Sequence, residues 1–240
     1  MRVSVFTGIS LAALLAAAPA LAADIARQPV YKAPPPVVPI VYNWTGFYAG
    51  INAGYGFGGS GNVLTAGQTP ANTGEIAAGL RPGTVSLDNS GFIGGGQIGY
   101  NWQFGSIVAG IEADADYTGF RDRQTFVNAG LNNTFRQDLN YLGTVRGRLG
   151  YAMGPTGSWM PYVTGGIAFG DIQNSVTGFG SARDTKVGYV LGAGIEAALS
   201  GPWTAKVEYQ YVDLGNGPTV GGVGSNFKAN IIKAGLNYRF

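Results

Sequence analysis

Hydrophobic residues recur at every second position through most of the chain, which is the spacing of a β-strand with one apolar face. In residues 44–58, Phe47, Ile51 and Tyr55 share one face, whereas small and polar residues fill the other. The alternation returns in seven further segments, weakest in the fourth, at residues 91–104, 106–117, 138–151, 161–170, 187–199, 203–211 and 232–240. The pattern predicts eight strands.

The predicted connections alternate in length along the chain. Long connections fall at residues 58–90, 118–136, 171–185 and 212–226, and short ones around Gly105, at 153–159 and at 200–202. Antiparallel strands with loops of alternating length are typical of outer-membrane barrels. The sequence therefore predicts an all-β fold, an eight-stranded antiparallel up-and-down transmembrane β-barrel with four long outer loops and three short periplasmic turns. An even strand count would leave both termini in the periplasm.

The distribution of charge indicates which strand face meets lipid. The apolar faces carry no Asp, Glu, Lys or Arg, and a Lys or Arg there would cost about 2–4 kcal/mol at the bilayer midplane. A soluble barrel would place its charges on the outward face instead. Charged residues make up only 12% of the chain, about half the share in a soluble domain. We therefore expect the apolar faces to contact lipid and the charged faces to line the lumen.

Charged side chains are predicted to fill this lumen, because an eight-stranded barrel is too narrow for a wide pore. Counting residues from the short turns places Glu112, Arg146, Glu208 and Lys233 near one level. The predicted network also includes Asp114 and Asp116 above that level, and Arg148, Glu196, Lys206 and Arg239 below it. Two interpretations stay open, a static plug that pairs buried charges and a gate whose pairs exchange partners.

Aromatic residues gather near the predicted strand ends, where outer-membrane barrels carry two interfacial girdles. The predicted membrane-interface aromatics near the short turns are Trp44, Trp102, Tyr151, Trp159 and Trp203. A second group, near the long connections, comprises Phe57, Tyr117, Tyr189 and Tyr211.

The N-terminal residues predict export from the cytoplasm. Residues 1–22 combine Arg2, an apolar run and a small-x-small motif, which indicates a cleaved signal peptide. Residues 23–42 form a proline-rich tail, interpreted as a periplasmic tether, and the barrel is predicted over residues 43–240. Loss of Arg2 from 15 basic residues leaves 14 against 13 acidic ones, a balance that argues against a nucleic-acid partner.

Gly94 to Gly99 spells G-x-G-x-x-G, the fingerprint of a dinucleotide-binding turn. Such a turn continues into a helix, whereas here the period of two persists, so we interpret the glycines as part of a strand. The chain has no histidine and no cysteine, which excludes a Ser-His-Asp triad and argues against zinc or haem ligation. We therefore predict no enzyme activity, cofactor or metal.

Several segments resemble the outer-membrane immunogenic protein family of alphaproteobacteria. These are YNWTGFYAGINAGYGFG, GGGQIGYNWQFG, GTVRGRLGY and the terminal LNYRF, and the resemblance covers about residues 40–240. It implies an OmpA-type eight-stranded barrel, an outer-membrane location and surface-exposed antigenic loops. It also implies that Leu236, Tyr238 and Phe240 match the terminal signal read by the barrel-assembly machinery.

The function predicted on these grounds is a structural outer-membrane barrel that presents surface loops and has its lumen plugged by buried charges. A narrow gated, porin-like channel for small solutes or ions is the first alternative. A receptor or adhesin acting through the long loops is the second. The expected partners are outer-membrane lipid, lipopolysaccharide and, during insertion, the barrel-assembly machinery.

Overall fold

A computed structural model describes residues 42–64, 70–80, 82–128, 130–220 and 224–240. The elements run β1 (Gly46–Leu64), α1 (Pro70–Ala77), β2 (Thr84–Phe104), β3 (Ile107–Asn128), β4 (Leu131–Tyr151), β5 (Trp159–Val176), β6 (Gly180–Ala198), β7 (Trp203–Asn216) and β8 (Gly224–Arg239). The predicted signal peptide and all but the last residue of the predicted tail lie outside the described residues. Within those residues, no helix is long and apolar enough to cross a membrane.

The strands pair in chain order and close into a barrel. All neighbouring strands are antiparallel, and β1 closes the barrel against β8 with Ala53 opposite Ala234. Every strand has two neighbours, but pairing in the described barrel is not continuous to the strand tips: residues 180–188 of β6 pair with β5 alone, and residues 84–92 of β2 do not pair with β3. The predicted eight-stranded antiparallel up-and-down barrel is confirmed.

The two strand faces are inverted relative to a water-soluble protein over much of the barrel. Phe47 and Phe92 point outward and are 66% and 76% exposed, whereas Asn52 and Gln97, on the alternate face of the same strands, are buried inside. Apolar outward and polar inward positions are the arrangement of a barrel surrounded by lipid.

Three tight connections lie at one end of the barrel, which we call the short-turn end. Gly105 and Ser106 join β2 to β3, residues 152–158 join β4 to β5, and residues 199–202 join β6 to β7. Gly105 has φ +62°, a left-handed conformation that glycine adopts without steric cost. The opposite end is called the extension end.

At the extension end, the structure differs from the long connections predicted from the sequence. β3 continues to Asn128 and β4 starts at Leu131, so residues 118–136 form a strand hairpin rather than a loop. The segments at 171–185 and 212–226 are likewise largely strand, and 58–90 contains strand at both ends with α1 between. The polar composition of all four segments predicts loops, and the structure differs from that prediction.

The physical reason is that alternation persists there with its polarity reversed. Phe120 and Phe126 point into the barrel, whereas Arg121 and Arg123 point out. An apolar interior and a charged exterior are the arrangement of a soluble barrel, so this part of the structure has the polarity of a barrel in water. A register shift between Tyr117 and Phe120 accompanies the change.

Candidate functional site

Among the described residues, nine buried charged side chains lie in the middle of the lumen, and we call them the lumen charge network. They come from inward positions on β3, β4, β6, β7 and β8. The cations are Arg146, Arg148, Lys206 and Lys233, and the acids are Glu112, Asp114, Asp116, Glu196 and Glu208. All nine belong to the set predicted from the sequence.

Arg146 is the centre of this network. It is the register partner of Glu112 across β3 and β4, and its Nη2 lies 2.5 Å from Glu112 Oε1 and 2.7 Å from Asp114 Oδ2. Its Nη1 donates to Glu208 Oε1 at 2.7 Å. One guanidinium thereby joins carboxylates from β3 and from β7.

Towards the short-turn end, Arg148 and Lys206 extend the network. Arg148 Nη2 lies 2.6 Å from Glu196 Oε2, and its Nη1 lies 2.9 Å from the hydroxyl of Tyr48 and 3.3 Å from Glu112 Oε2. Lys206 Nζ donates to both oxygens of Glu112, at 2.8 and 2.9 Å. Glu112 therefore contacts three cations.

Towards the extension end, Lys233 pairs with the two aspartates. Its Nζ is 2.6 Å from Asp116 Oδ2 and 3.5 Å from Asp114 Oδ1, and Thr144 donates to Asp114 Oδ2 at 2.7 Å. Lys233 is the register partner of Glu208, but no ion pair joins them in the described structure. Counting residues from the short turns predicts the level of the Lys233 backbone in the barrel. The length of the lysine side chain determines which acid its ammonium group contacts.

Neutral side chains complete the network, and sequence reasoning missed them because it searched for charges. Tyr162 donates to Glu208 Oε2 at 2.7 Å, and Tyr48 donates to Glu112 Oε2 at the same distance. Thr204 and Asn237 donate to Glu196 Oε1 at 2.5 and 2.9 Å. A signal was present in the sequence, since each lies on the inward-facing alternate positions of its strand.

Arg239 does not join the network, contrary to the prediction. Its Nη2 donates to the carbonyl oxygen of Thr45 at 3.0 Å, and its guanidinium lies 4.9 Å from the ring centroid of Tyr42 and 5.8 Å from that of Trp44. It lies six positions after Lys233, about 20 Å along a strand. Arg239 lies on an alternate position of β8, like Lys233, but it is too close to the short-turn end to reach the network.

Trp44 is also placed differently from the prediction. It is fully buried, packs with Val108 and Met160, and donates from Nε1 to the carbonyl oxygen of Gly157 at 2.8 Å. The residue precedes β1, so strand alternation does not fix its direction, and it fills the short-turn end of the lumen. The other four predicted interface aromatics, Trp102, Tyr151, Trp159 and Trp203, face outward and are 41–54% exposed.

The three predicted assembly residues alternate outward at the end of the chain. Leu236 and Tyr238 are 38% and 40% exposed and Phe240 is 81% exposed. The rings of Tyr238 and Phe240 meet with centroids 5.3 Å apart.

An apolar layer fills the lumen directly beyond the charge network. Phe120 from β3 and Phe227 from β8 meet edge to face inside the barrel, with ring centroids 5.9 Å apart. A Cβ at Gly56 would overlap the Phe120 ring, so this glycine leaves the space that the ring occupies. The apolar layer comprises Ile93, Phe120, Leu139, Leu142, Ala168, Ile172, Val190, Val212, Leu214, Phe227, Ala229 and Ile231.

Two more layers follow towards the extension end. Gln137 Nε2 donates to Ser225 Oγ at 2.6 Å and to Asn174 Oδ1 at 3.2 Å, and Asn174 Nδ2 donates to the carbonyl oxygen of Pro218 at 2.7 Å. Beyond these amides, a second apolar cluster contains Phe126, Phe135, Val176 and Val220. Side chains thus occupy the lumen at successive levels along its length.

Each charged group of the network has an oppositely charged partner, although Arg146 Nε, Arg148 Nε and Asp116 Oδ1 make no hydrogen bond to any described residue. Each of the five acids lies 2.5–3.5 Å from at least one cation of the network. An unpaired charge at such a site would cost several kcal/mol, roughly 3–5 when one partner is removed. Among the described residues, no group of three or more acidic side chains is arranged to hold a metal ion.

Comparison with known proteins relates this geometry to a family. Residues 9–240 match the family model of the outer membrane protein beta-barrel domain. The 31 kDa outer-membrane immunogenic protein of Brucella melitensis is 34% identical over 244 residues, which cover 96% of this chain and 97% of the relative. The 25 kDa outer-membrane immunogenic protein of Brucella abortus is 31% identical over 239 residues, covering 97% and 96%.

Among solved structures, the outer membrane protein OprG from Pseudomonas aeruginosa aligns over 84% of this chain and 99% of its own, with a TM-score of 0.49 and 16% identity. The family match and the curated relatives span almost the whole chain, which confirms the resemblance predicted from the sequence. They also assign the protein to the outer membrane of Gram-negative bacteria. The chain belongs to the outer membrane protein beta-barrel family.

Proposed function

We propose that the protein is a structural outer-membrane barrel whose lumen is closed to solutes. The stacking of an apolar layer on the lumen charge network carries this proposal. An ion entering from one end would have to separate paired charges, and it would then have to cross the layer around Phe120 and Phe227 without polar partners. Both barriers would have to open for conduction.

We further propose that the short-turn end and both termini face the periplasm, with the extension end outside the cell. The short connections at this end support the orientation, because outer-membrane barrels have short periplasmic turns and longer connections outside. The outward apolar band on β3 has the height that a membrane span requires. It runs from Ile107 to Tyr117, eleven residues that rise about 33 Å along the strand, or about 25 Å at a tilt of about 40°. That is the height of the apolar band in outer-membrane barrels.

A narrow gated channel is the alternative that one observation favours. Arg146 and Glu112 each contact three oppositely charged groups, so a pair could exchange partners without leaving a charge unpaired. The apolar layer makes this alternative harder, because exchange of charged partners would not move Phe120 or Phe227.

Planar-bilayer recording distinguishes the two functions. The chain is refolded, its folding is checked by a heat-dependent gel shift, and the wild type is compared with Glu112→Ala, Arg146→Ala and the double variant Arg146→Ala/Phe120→Ala. Val207→Ala, on the lipid-facing surface, is the matched control.

A closed barrel predicts silence for the wild type, the control and both single variants, and conductance only when both layers are breached. Discrete openings of the wild type that Arg146→Ala alters would overturn the closed lumen and favour the gate. If every folded variant stays silent, the lumen remains closed even after one side chain is removed from each layer. Receptor or adhesin roles of the extension end then become the functions to test.

A further inference from the structure

Three arginines and one carboxylate share a small area of the outer surface of β3 and β4, just beyond the apolar band. Arg123 and Arg136 are register partners, and Arg121 is the register partner of Asp138. All four side chains belong to the outward face of their strands. Like charges directly opposite each other on neighbouring strands destabilise a sheet. An anion bound between Arg123 and Arg136 would reduce the repulsion between their guanidinium groups.

The single carboxylate does not balance these charges. Asp138 is held by Arg136, with Nε 2.7 Å from Oδ2 and Nη2 3.0 Å from Oδ1, and Arg121 Nε reaches Oδ1 at 3.8 Å. Arg123 forms no side-chain ion pair within the described ranges. Asp122 lies on the opposite strand face, where its Oδ1 accepts the backbone N–H of Arg123 at 2.6 Å.

Other outward cations of the described barrel differ, because each has its own carboxylate. Arg183 Nη2 lies 2.6 Å from Asp171 Oδ2, and Lys228 Nζ lies 3.3 Å from Asp213 Oδ2. The hydrogen bond to Asp171 raises the pKa of the Arg183 guanidinium, and the hydrogen bond to Asp213 raises the pKa of the Lys228 ammonium. The excess positive charge is therefore local to β3 and β4.

Two grooves beside Arg136 provide space for a ligand. One of about 220 Å³ is lined by Arg121 and Arg136, by the Asp138 carboxylate that these two arginines contact, and by Asn140 and Gln173. The other, of about 360 Å³, is lined by Arg123, Arg136 and hydroxyl groups that include Thr134. Guanidinium, amide and hydroxyl donors together are the groups that bind phosphate oxygens.

An apolar groove adjoins this basic surface on its lipid side. It has a volume of about 490 Å³ and is lined by Tyr117, Tyr141 and Phe169, and the two tyrosine rings meet with centroids 5.7 Å apart. Asn140 of the basic groove immediately precedes Tyr141 in the chain. A ligand with a phosphate above and an acyl chain below would contact both surfaces.

We propose that this surface binds a phosphorylated, acylated glycolipid of the outer leaflet. Arg121, Arg123 and Arg136 hold the phosphate, and the groove at Tyr117, Tyr141 and Phe169 receives an acyl chain. The inference rests on the proposed orientation, in which the extension end faces outside the cell. Free inorganic phosphate shares the headgroup chemistry but would make no use of the apolar groove.

Lipid binding to the purified full chain tests the site. The chain is purified in detergent, freed of bound lipid, and titrated with a bisphosphorylated, multiply acylated glycolipid under native mass spectrometry. The test variant is Arg121→Gln/Arg123→Gln, which leaves the Arg136–Asp138 pair intact. The matched control, Arg183→Gln/Lys228→Gln, removes the same charge from paired outward positions, and a heat-dependent gel shift verifies folding of both.

We expect the glycolipid affinity to fall about ten-fold or more in the test variant, because each basic residue near an anionic membrane surface contributes substantially to binding. The control variant should stay within about three-fold of the wild type. Tyr141→Ala, which opens the apolar groove without changing charge, should also weaken glycolipid binding while leaving inorganic phosphate binding unchanged.

An equal loss in both double variants would overturn the site, since binding would then follow net charge. Equal affinity for a dephosphorylated glycolipid would overturn the phosphate contact, and inorganic phosphate binding as tightly as the glycolipid would overturn the lipid assignment. Conductance of the same preparations is measured separately. An open barrel that binds the glycolipid overturns only the closed lumen, and a silent barrel that does not bind it overturns only this site.

Discussion

Glu112 and Arg146 are register partners on β3 and β4, and their side chains meet at 2.5 Å inside the barrel. Each also contacts two further groups of opposite charge. The backbone register thus aligns the ion pair, and the remaining contacts tie it to carboxylates and cations on other strands.

Removal of Arg146 should strongly destabilise the barrel. Arg146→Ala leaves Glu112, Asp114 and Glu208 without their shared cation, and we expect the free energy of unfolding to fall by about 3–5 kcal/mol. Urea unfolding of the barrel in lipid vesicles measures this change. Val145→Ala, the lipid-facing neighbour in sequence, serves as the control, and an equal loss in both variants would contradict a central role for Arg146.

A side chain at Gly56 should disturb the apolar layer. Gly56→Ala places a methyl group where the Phe120 ring lies, and overpacking of this kind costs about 1–3 kcal/mol. The same unfolding measurement should show partial rescue by Phe120→Leu. Gly96→Ala, where the nearest atom is a carbonyl oxygen 3.7 Å away, should have a smaller effect, and destabilisation unrelieved by Phe120→Leu would argue against this packing.

The tryptophans should separate into one lumen residue and three lipid-facing residues. In single-tryptophan variants, with the others changed to Phe, brominated lipid should quench Trp102, Trp159 and Trp203 but not Trp44. Trp44 is buried and hydrogen-bonded to Gly157 inside the barrel. Quenching of Trp44 as strong as that of Trp203 would restore it to the membrane interface.

The terminal aromatic residue should matter for assembly more than its contacts suggest. Phe240 is 81% exposed, so its removal costs little internal packing. We nevertheless expect Phe240→Ala to lower the amount of heat-modifiable barrel in outer-membrane fractions. Leu199→Ala, another exposed apolar position, is the control, and equal amounts of folded protein from both variants would contradict the assembly signal.

Much of the barrel could be predicted because the alternation of apolar and polar residues indicates both where the strands lie and which side chains face the lumen. Glu112, Arg146 and Lys206 fall on inward positions, and their burial follows directly from that parity. Their partners could not be predicted, because a lysine or arginine side chain spans more than one level of the barrel. Lys233 accordingly pairs with Asp116 rather than with its register partner.

The structure differs from the remaining predictions at two kinds of position. At one, alternation does not fix which way a side chain faces; at the other, it is compatible with two structures. Trp44 precedes its strand, so no neighbouring position fixes its facing. In residues 118–136 the phenylalanines Phe120, Phe126 and Phe135 point inward, whereas Val127 and Leu131 are exposed. A polar segment with the period of a strand is compatible with a loop or with a strand in water, and the sequence alone does not distinguish the two.

The reversal of polarity along β3 and β4 also sets the map of tolerated substitutions. Between the short-turn end and the register shifts near Tyr117 and Leu142, a charged residue should be tolerated on the lumen face only with a partner of opposite charge. On the outward face it should hardly be tolerated at all. Above them the preference is the opposite, as Arg123 outside and Phe120 inside already illustrate. Two neighbouring segments of one strand therefore tolerate opposite substitutions on the same face. A mutational scan of β3 and β4 would locate the membrane boundary from those tolerances alone.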